Sequence, residues 1–151
     1  MTDIMSAAKR SALMQRIRSK NTTPERIVRS ALHSRGLRYR LHVRVLGTRP
    51  DLVFSSKRIV VFVHGCFWHG HDCHLFRLPK TRSEFWEAKI SNNRQRDRRV
   101  AHDLLAAGWS VATVWECALR QRTPGQLARV LVRLEAWINA PRRARSLTLR
   151  G

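Results

Sequence analysis

The chain has 151 residues, room for one domain that buries about 70% of its unfolded surface. Hydrophobic residues make up 43%, so a core can form and disorder throughout is excluded. Thirty Lys and Arg against ten Asp and Glu give a formal charge of +20, which points to a polyanionic partner, nucleic acid first.

Only Lys9, Lys20, Lys57, Lys80 and Lys89 are lysines; the other 25 cations are Arg. Arg presents a planar fork that pairs bidentately with phosphate. The longest strictly apolar run is Ile59 to Val63, far short of the ~20 residues that cross a bilayer. No signal peptide is evident, and three Cys, an odd number, argue against a disulfide framework. The expectation is a reducing compartment, with the thiols free or on a metal.

Residues 1–22 are polar and basic, with scattered Ile4, Met5, Leu13, Met14 and Ile17, and read as an arm with a short helix. Thr23-Pro24-Glu25 is a helix start: a capping hydroxyl, Pro at the first position, an acid in the first turn. Ile27, Val28, Ala31 and Leu32 form an apolar stripe, and Gly36 ends the helix. Leu37 to Val43 alternates apolar and basic, as a half-exposed strand does. Asp51 to Phe54 and Arg58 to Val63 are two short strands around Ser55-Ser56-Lys57.

Residues 64–80 have neither period. Ser83 is read as capping a long helix to about Ala107, with an interruption near Asn92-Asn93, closed by Gly108. Trp109 to Trp115 is a buried-type strand. Thr123-Pro124 opens the last helix, with Leu127, Val130, Leu131, Leu134 and Ile138 on one face, and Pro141 ends it. The order α-β-β-β-α-β-α implies a mixed sheet flanked by helices. The chain divides into an arm (1–22), a core domain (23–140) and a basic tail (141–151) containing Arg142, Arg143, Arg145 and Arg150.

Cys66, His71, Cys73 and Cys117 form a candidate zinc set, three on one irregular loop and the fourth at a strand end. Zinc takes four tetrahedral N or S ligands and staples a loop too short to pack. His69 and His74 compete for the fourth position.

Asp51 opens one strand, and His64 ends the next. A carboxylate and a neighbouring strand end can meet at one sheet edge, the layout of Mg²⁺-dependent phosphodiester cleavage. His64 and His69 can act as acid or base near neutral pH. Glu25 by itself reads as an acid at a helix N-terminus, and Asp97 as a carboxylate breaking up the basic run Arg94 to Arg99. Phe67-Trp68, flanked by histidines, suits stacking on bases. Phe85, Trp86, Lys89 and Asn93 share a helical stripe, and Lys and Asn can hydrogen-bond base edges.

The stretch VFVHGCFWHGHDCHLFRLPKTRSEFWEAKI (61–90), followed by NNRQRDRR and by VWECALR (114–120), resembles the very-short-patch-repair (Vsr) mismatch endonucleases. KRSALMQRIRSKNTTPE near the N-terminus and RPDLVF (49–54) match as well, so the resemblance runs from about residue 9 to 138. It implies an α/β, restriction-endonuclease-like fold with a structural zinc loop, in which Phe62 and His64 stand where the usual second acid and Lys would be. It implies Mg²⁺ on Asp51 and on the main-chain carbonyl of Val63, where family members often carry Thr. It implies His69 as base, Glu25 orienting the water, His64 at the scissile phosphate with Asp97 in the network, and zinc on Cys66, His71, Cys73 and Cys117. It implies intercalation of Phe67, Trp68 and Trp86, contacts from Met14 and Ile17 in the other groove, and reading of the mispaired bases by Lys89 and Asn93.

The expected function is a Mg²⁺-dependent nick 5′ of the thymine in a T:G mismatch left by deamination of 5-methylcytosine. Expected with it are a functional link to a cytosine-5 methyltransferase, contact with mismatch-repair proteins, a monomer, and a bacterial, nucleoid-associated cytoplasmic location. The rival expectations are a zinc-stabilised DNA-binding module without catalysis, which needs neither Asp51 nor His64 and His69, and a nuclease on unmismatched DNA, which needs no Phe67-Trp68 wedge.

Overall fold

The computed structural model describes residues 22–120, 122–140 and 144–151. The arm with Met14 and Ile17, and Arg142 and Arg143 of the tail, lie outside the described residues. Helix α1 spans Thr23–Ser34. Strands β1 (Arg40–Leu41), β2 (Leu52–Phe54) and β3 (Ile59–His64) follow, with a 3₁₀ turn over Ser55–Lys57. Helix α2 spans Ser83–Ala106 and returns the chain to β4 (Ser110–Trp115). The short α3 (Glu116–Leu119), α4 (Pro124–Asn139) and β5 (Ser146–Leu149) complete the order.

The five strands lie in chain order in one sheet. β1, β2 and β3 pair antiparallel; β3, β4 and β5 pair parallel. The mixed sheet between helices is the expected restriction-endonuclease-like architecture. Side chains alternate across β3, so Ile59, Val61 and Val63 meet the helices α1 and α4, while Val60 and Phe62 meet α2. Val28, Leu32, Leu134 and Ile138 are fully buried on the first face. On the second, Leu104 closes over Val60 and Val111. At about 1.5–3 kcal/mol per buried aliphatic side chain, this two-sided packing holds the sheet edge that carries the site.

Several boundaries differ from the sequence reading. The cap of α1 is Thr22, whose side chain accepts from the Glu25 N–H, one residue before the expected Thr23. The strand expected over Leu37–Val43 is cut to Arg40–Leu41 because His42 has φ +53, the left-handed region in which a strand cannot continue. Ser83 does not cap α2: the chain enters from Arg82 at φ +56 with no side-chain cap. Asn92-Asn93 does not interrupt α2, which runs for 24 residues. Thr123 and Gln126 form a full capping box on α4. Within the expected tail, Ser146–Leu149 is an edge strand on β4, with Leu149 buried.

Candidate active site

The C-terminal ends of β3 and β4, the loop after β3, the start of α1 and the middle of α2 enclose a cleft of about 1210 Å³. Glu25, Asp51, Val63, His64, His69 and Asp97 all line it, and Arg44, Arg49, Arg96 and Arg120 stand among its walls. A cation-lined cleft attracts a phosphodiester backbone.

Asp51 stands just before β2, opposite the end of β3. Its Oδ2 accepts the Val63 main-chain N–H at 2.6 Å. Burial, helped by the nearby Glu25 charge, pushes the Asp51 carboxyl up to about 7 against the Val63 hydrogen bond. Glu25 is only 1% exposed, far more buried than an acid placed at a helix start for its dipole alone. Donor atoms of Glu25, His42 and Asp51 lie within 4.8 Å of one another, a spacing a divalent cation can bridge.

His64 and His69 stack with ring centroids 3.8 Å apart and planes 4° from parallel. Asp97, about three turns along α2 from Trp86, hydrogen-bonds His69 Nδ1. Burial would raise the Asp97 carboxyl, but that bond and the histidine charges hold it below its ordinary value. Burial, with His69 beside it, pushes His64 down to about 3, so it is neutral at physiological pH. His64 Nδ1 is buried with no hydrogen-bond partner among the described residues.

Behind this pair the loop folds into the second cluster. Cys66, His71, Cys73 and Cys117 bring their donor atoms within 4.8 Å of one another, so they could hold a metal ion. His71 Nδ1 lies 3.6 Å from Cys66 Sγ and 3.4 Å from Cys117 Sγ. A tetrahedral zinc with ligands at about 2.0–2.3 Å has N–S edges of about 3.6 Å, so the donor set fits. The rivals drop out: His69 is engaged with Asp97, and His74 is not in the cluster. Main-chain N–H groups of Cys117 and Gly151 donate to Cys66 Sγ and Cys117 Sγ, each at 3.3 Å. Burial raises the Cys66 thiol above its ordinary value, so metal loading must release its proton. Burial, with Arg150 nearby, lowers His71 and favours the neutral ligand form. Trp115 joins the two clusters: it stacks on His71 at 4.0 Å and meets His64 edge-on at 5.2 Å.

Phe67, Trp68 and Trp86 form one cluster with centroids 5.1–5.8 Å apart. Phe76 and Phe85 extend it. Lys89 Nζ lies 5.6 Å from the Trp68 ring and 5.7 Å from Trp86. Asn93 donates to the Trp68 carbonyl at 2.9 Å, so its amide braces the aromatic loop. Close approach of loop to helix is allowed at Gly70, with φ +60, where a Cβ would lie 2.5 Å from Ile90.

Sequence reasoning missed His42, Glu116 and the central place of Trp115. Glu116 Oε1 accepts the Cys66 N–H at 3.2 Å and pairs with Arg120, anchoring the loop to β4's end. No periodicity or spacing marks His42; only its fold neighbours reveal it.

The profile described as "DNA mismatch endonuclease Vsr" matches residues 2–75. The chain is 56% identical over 119 residues to the type II nicking enzyme V.XorIIP of Xanthomonas oryzae pv. oryzae, covering 79% of this chain and 88% of that one. It is 45% identical over 138 residues to the DNA mismatch endonuclease Vsr of Escherichia coli, covering 91% and 88%. It is 43% identical over 122 residues to the type II nicking enzyme V.NmeAIP of Neisseria meningitidis, covering 81% and 87%. With that identity extending over most of both partners in each comparison, the chain belongs to the Vsr DNA mismatch endonuclease family of DNA-cleaving hydrolases.

Proposed function

We propose that this enzyme nicks one DNA strand 5′ of the thymine in a T:G mismatch. The observation that carries the reading is the convergence of Asp51, Glu25, His64 and the His69–Asp97 pair in one cleft beside an aromatic cluster. A binding module needs no buried carboxylate pair and no oriented imidazole.

Asp51 and the main-chain carbonyl of Val63 would hold Mg²⁺, which when bound stabilises charge developing on the phosphoryl oxygens. Asp97 engages His69 Nδ1, fixing the tautomer whose Nε2 can accept a proton. His69 takes a proton from the attacking water, the new O–P bond forms, the P–O bond to the leaving strand breaks, and the departing 3′ oxygen takes a proton from solvent. Glu25 orients that water. His64, neutral and stacked beneath His69, holds the base's plane and faces the scissile phosphate. Cys66, His71, Cys73 and Cys117 would hold zinc, which when bound would keep the loop folded. Phe67, Trp68 and Trp86 wedge into the duplex, and Met14 and Ile17 approach from the opposite groove. Unstacking costs a few kcal/mol per step, less at a mismatch, which selects mispaired sites. Lys89 and Asn93 stand at the positions that meet the mispaired bases.

A T:G pair arises when 5-methylcytosine deaminates, so the preferred context should match a cytosine-5 methyltransferase, and the nick feeds mismatch repair. An asymmetric single-strand nick suits a monomer in the bacterial cytoplasm, at the nucleoid; no helix of the described residues is long and apolar enough to cross a membrane. The test is a nicking assay with Mg²⁺ on matched and T:G duplexes in several contexts. Cleavage of the T strand confined to mismatched duplex supports the reading. Mismatch binding without cleavage in any context would leave the zinc-stabilised binding module instead.

A further inference from the structure

We propose that His42 is a nitrogen donor to the divalent cation at Asp51, completing with Glu25 a mixed N/O site that takes Mn²⁺ or Co²⁺ more tightly than Mg²⁺. This rests on the reading that Asp51 holds a cation, and it adds a ligand that no spacing in the sequence marks.

His42 ends the two-residue β1 and turns the chain at φ +53. Left-handed backbone is costly for a residue with a Cβ and persists where surroundings impose it. Its Nε2 lies 3.2 Å from Glu25 Oε1. The same nitrogen is closed off from solvent and makes no aligned hydrogen bond among the described residues. A buried nitrogen at hydrogen-bond distance from a carboxylate, without hydrogen-bond alignment, is an incomplete hydrogen bond but a good ligand edge. Adjacent donors of an octahedral cation with bonds of about 2.0–2.1 Å lie about 3 Å apart. All three donors lie within 4.8 Å of one another, so one ion can reach them after small side-chain adjustments.

Charge agrees with geometry. With an ion bound, the two carboxylates supply −2, which a divalent cation cancels. An imidazole nitrogen binds Co²⁺ strongly and Mn²⁺ more weakly, but both better than Mg²⁺, which favours an all-oxygen shell. The identity of the donor therefore sets the preference of the site.

The test uses zinc-loaded full-length protein without DNA, titrated with Mn²⁺ and read by pulsed electron paramagnetic resonance, with Mg²⁺ affinity obtained by competition. Wild type should show a directly coordinated ¹⁴N. His42→Asn is the first variant, since Asn tolerates left-handed backbone; His42→Gln is the second, and far-UV dichroism checks both for folding. Both should lose the nitrogen coupling and at least about tenfold in Mn²⁺ affinity, with a smaller change for Mg²⁺. Mn²⁺ bound at Asp51 without nitrogen coupling, or coupling that survives in both variants, overturns the His42 assignment and leaves the Asp51 reading intact. Unchanged Mn²⁺ binding in Asp51→Asn overturns the Asp51 reading itself.

Discussion

Val63 donates its main-chain N–H to Asp51 Oδ2 at 2.6 Å, so the end of β3 fixes the carboxylate that opens β2. Antiparallel pairing of Leu52 with Val61 brings the two strand ends side by side. The position of this acid is therefore set by backbone and does not depend on the Val63 side chain. Val63→Thr should leave nicking within about threefold of wild type, and Asp51→Asn should abolish nicking while leaving mismatch binding measurable by gel shift. A Val63→Thr variant faster by orders of magnitude would show that a hydroxyl belongs in the metal site.

The His69–Asp97 hydrogen bond makes a second prediction. General-base assistance is worth about 10²–10⁴-fold, so His69→Ala should lose that much of the single-turnover rate. Asp97→Asn keeps the shape but removes the charge that holds the imidazole, and should lose about 10²-fold with little change in mismatch affinity. If Asp97→Asn nicks at the wild-type rate, Asp97 only breaks up the charge of the Arg94–Arg99 run, as the sequence alone suggested.

The sheet, both long helices and the loop with no period were legible because hydrophobic periodicity records what faces the core. The α4 stripe is a case in point, while Ile59 to Val63 was legible as an unbroken apolar run, the mark of a strand buried on both faces. The metal loop was legible because Cys and His crowd it, yet the fourth ligand was open among His71, His69 and His74 until the loop's turns set His71 between Cys66 and Cys117. His42 was not legible at all. It owes its place to a positive φ and to its approach to Glu25 in the first turn of α1, and neither leaves a pattern in a basic, alternating stretch. The strand Ser146–Leu149 was missed because arginines surround it, although Leu147 and Leu149 keep the period of two.

The Cys66–His71–Cys73–Cys117 cluster should contain one tightly held zinc, counted by elemental analysis of the purified protein. Cys117→Ser should lose it, and His74→Ala should keep it. If losing the site costs about 4 kcal/mol, Tm falls by roughly 8–16 °C, at about 2–4 °C per kcal/mol for a chain of this size. Retention of zinc in Cys117→Ser would reopen the choice of the fourth ligand.

Protonation gives a signed prediction for the zinc-loaded protein without Mg²⁺. Asp51 titrates at about 7 folded against an ordinary 3.8, so the folded state binds the extra proton between those values. Stability from this group is present below 3.8 and lost as pH rises through 7. His64 acts in the opposite sense: held neutral down to about 3, it contributes stability above 6.5 that is lost as pH falls. The Tm advantage of Asp51→Asn over wild type should therefore grow from pH 5 to pH 8. Mg²⁺ should restore wild type at pH 8 and leave Asp51→Asn unchanged. A Tm difference that does not vary with pH would mean that Asp51 is solvated as an ordinary carboxylate.

Asn93 and Trp68 separate bracing from base reading. The Asn93 amide is already committed to the Trp68 carbonyl at 2.9 Å, on the loop whose indole joins the aromatic cluster. If the amide keeps that bond on DNA, Asn93→Ala acts by loosening Trp68, not by losing a base contact. Its penalty should then be the same on T:G and T:inosine duplexes, which differ in one hydrogen-bonding group, and should largely vanish in a Trp68→Ala background, the non-additivity expected of groups that act through one another. Lys89 instead approaches the Trp68, Trp86 and Phe85 rings. Lys89→Met should therefore change the ratio of T:G to matched nicking, and part of that change should persist in a Trp68→Ala background. A base-dependent penalty for Asn93→Ala that persists without Trp68 would make Asn93 a direct reader whose amide changes partner when DNA binds.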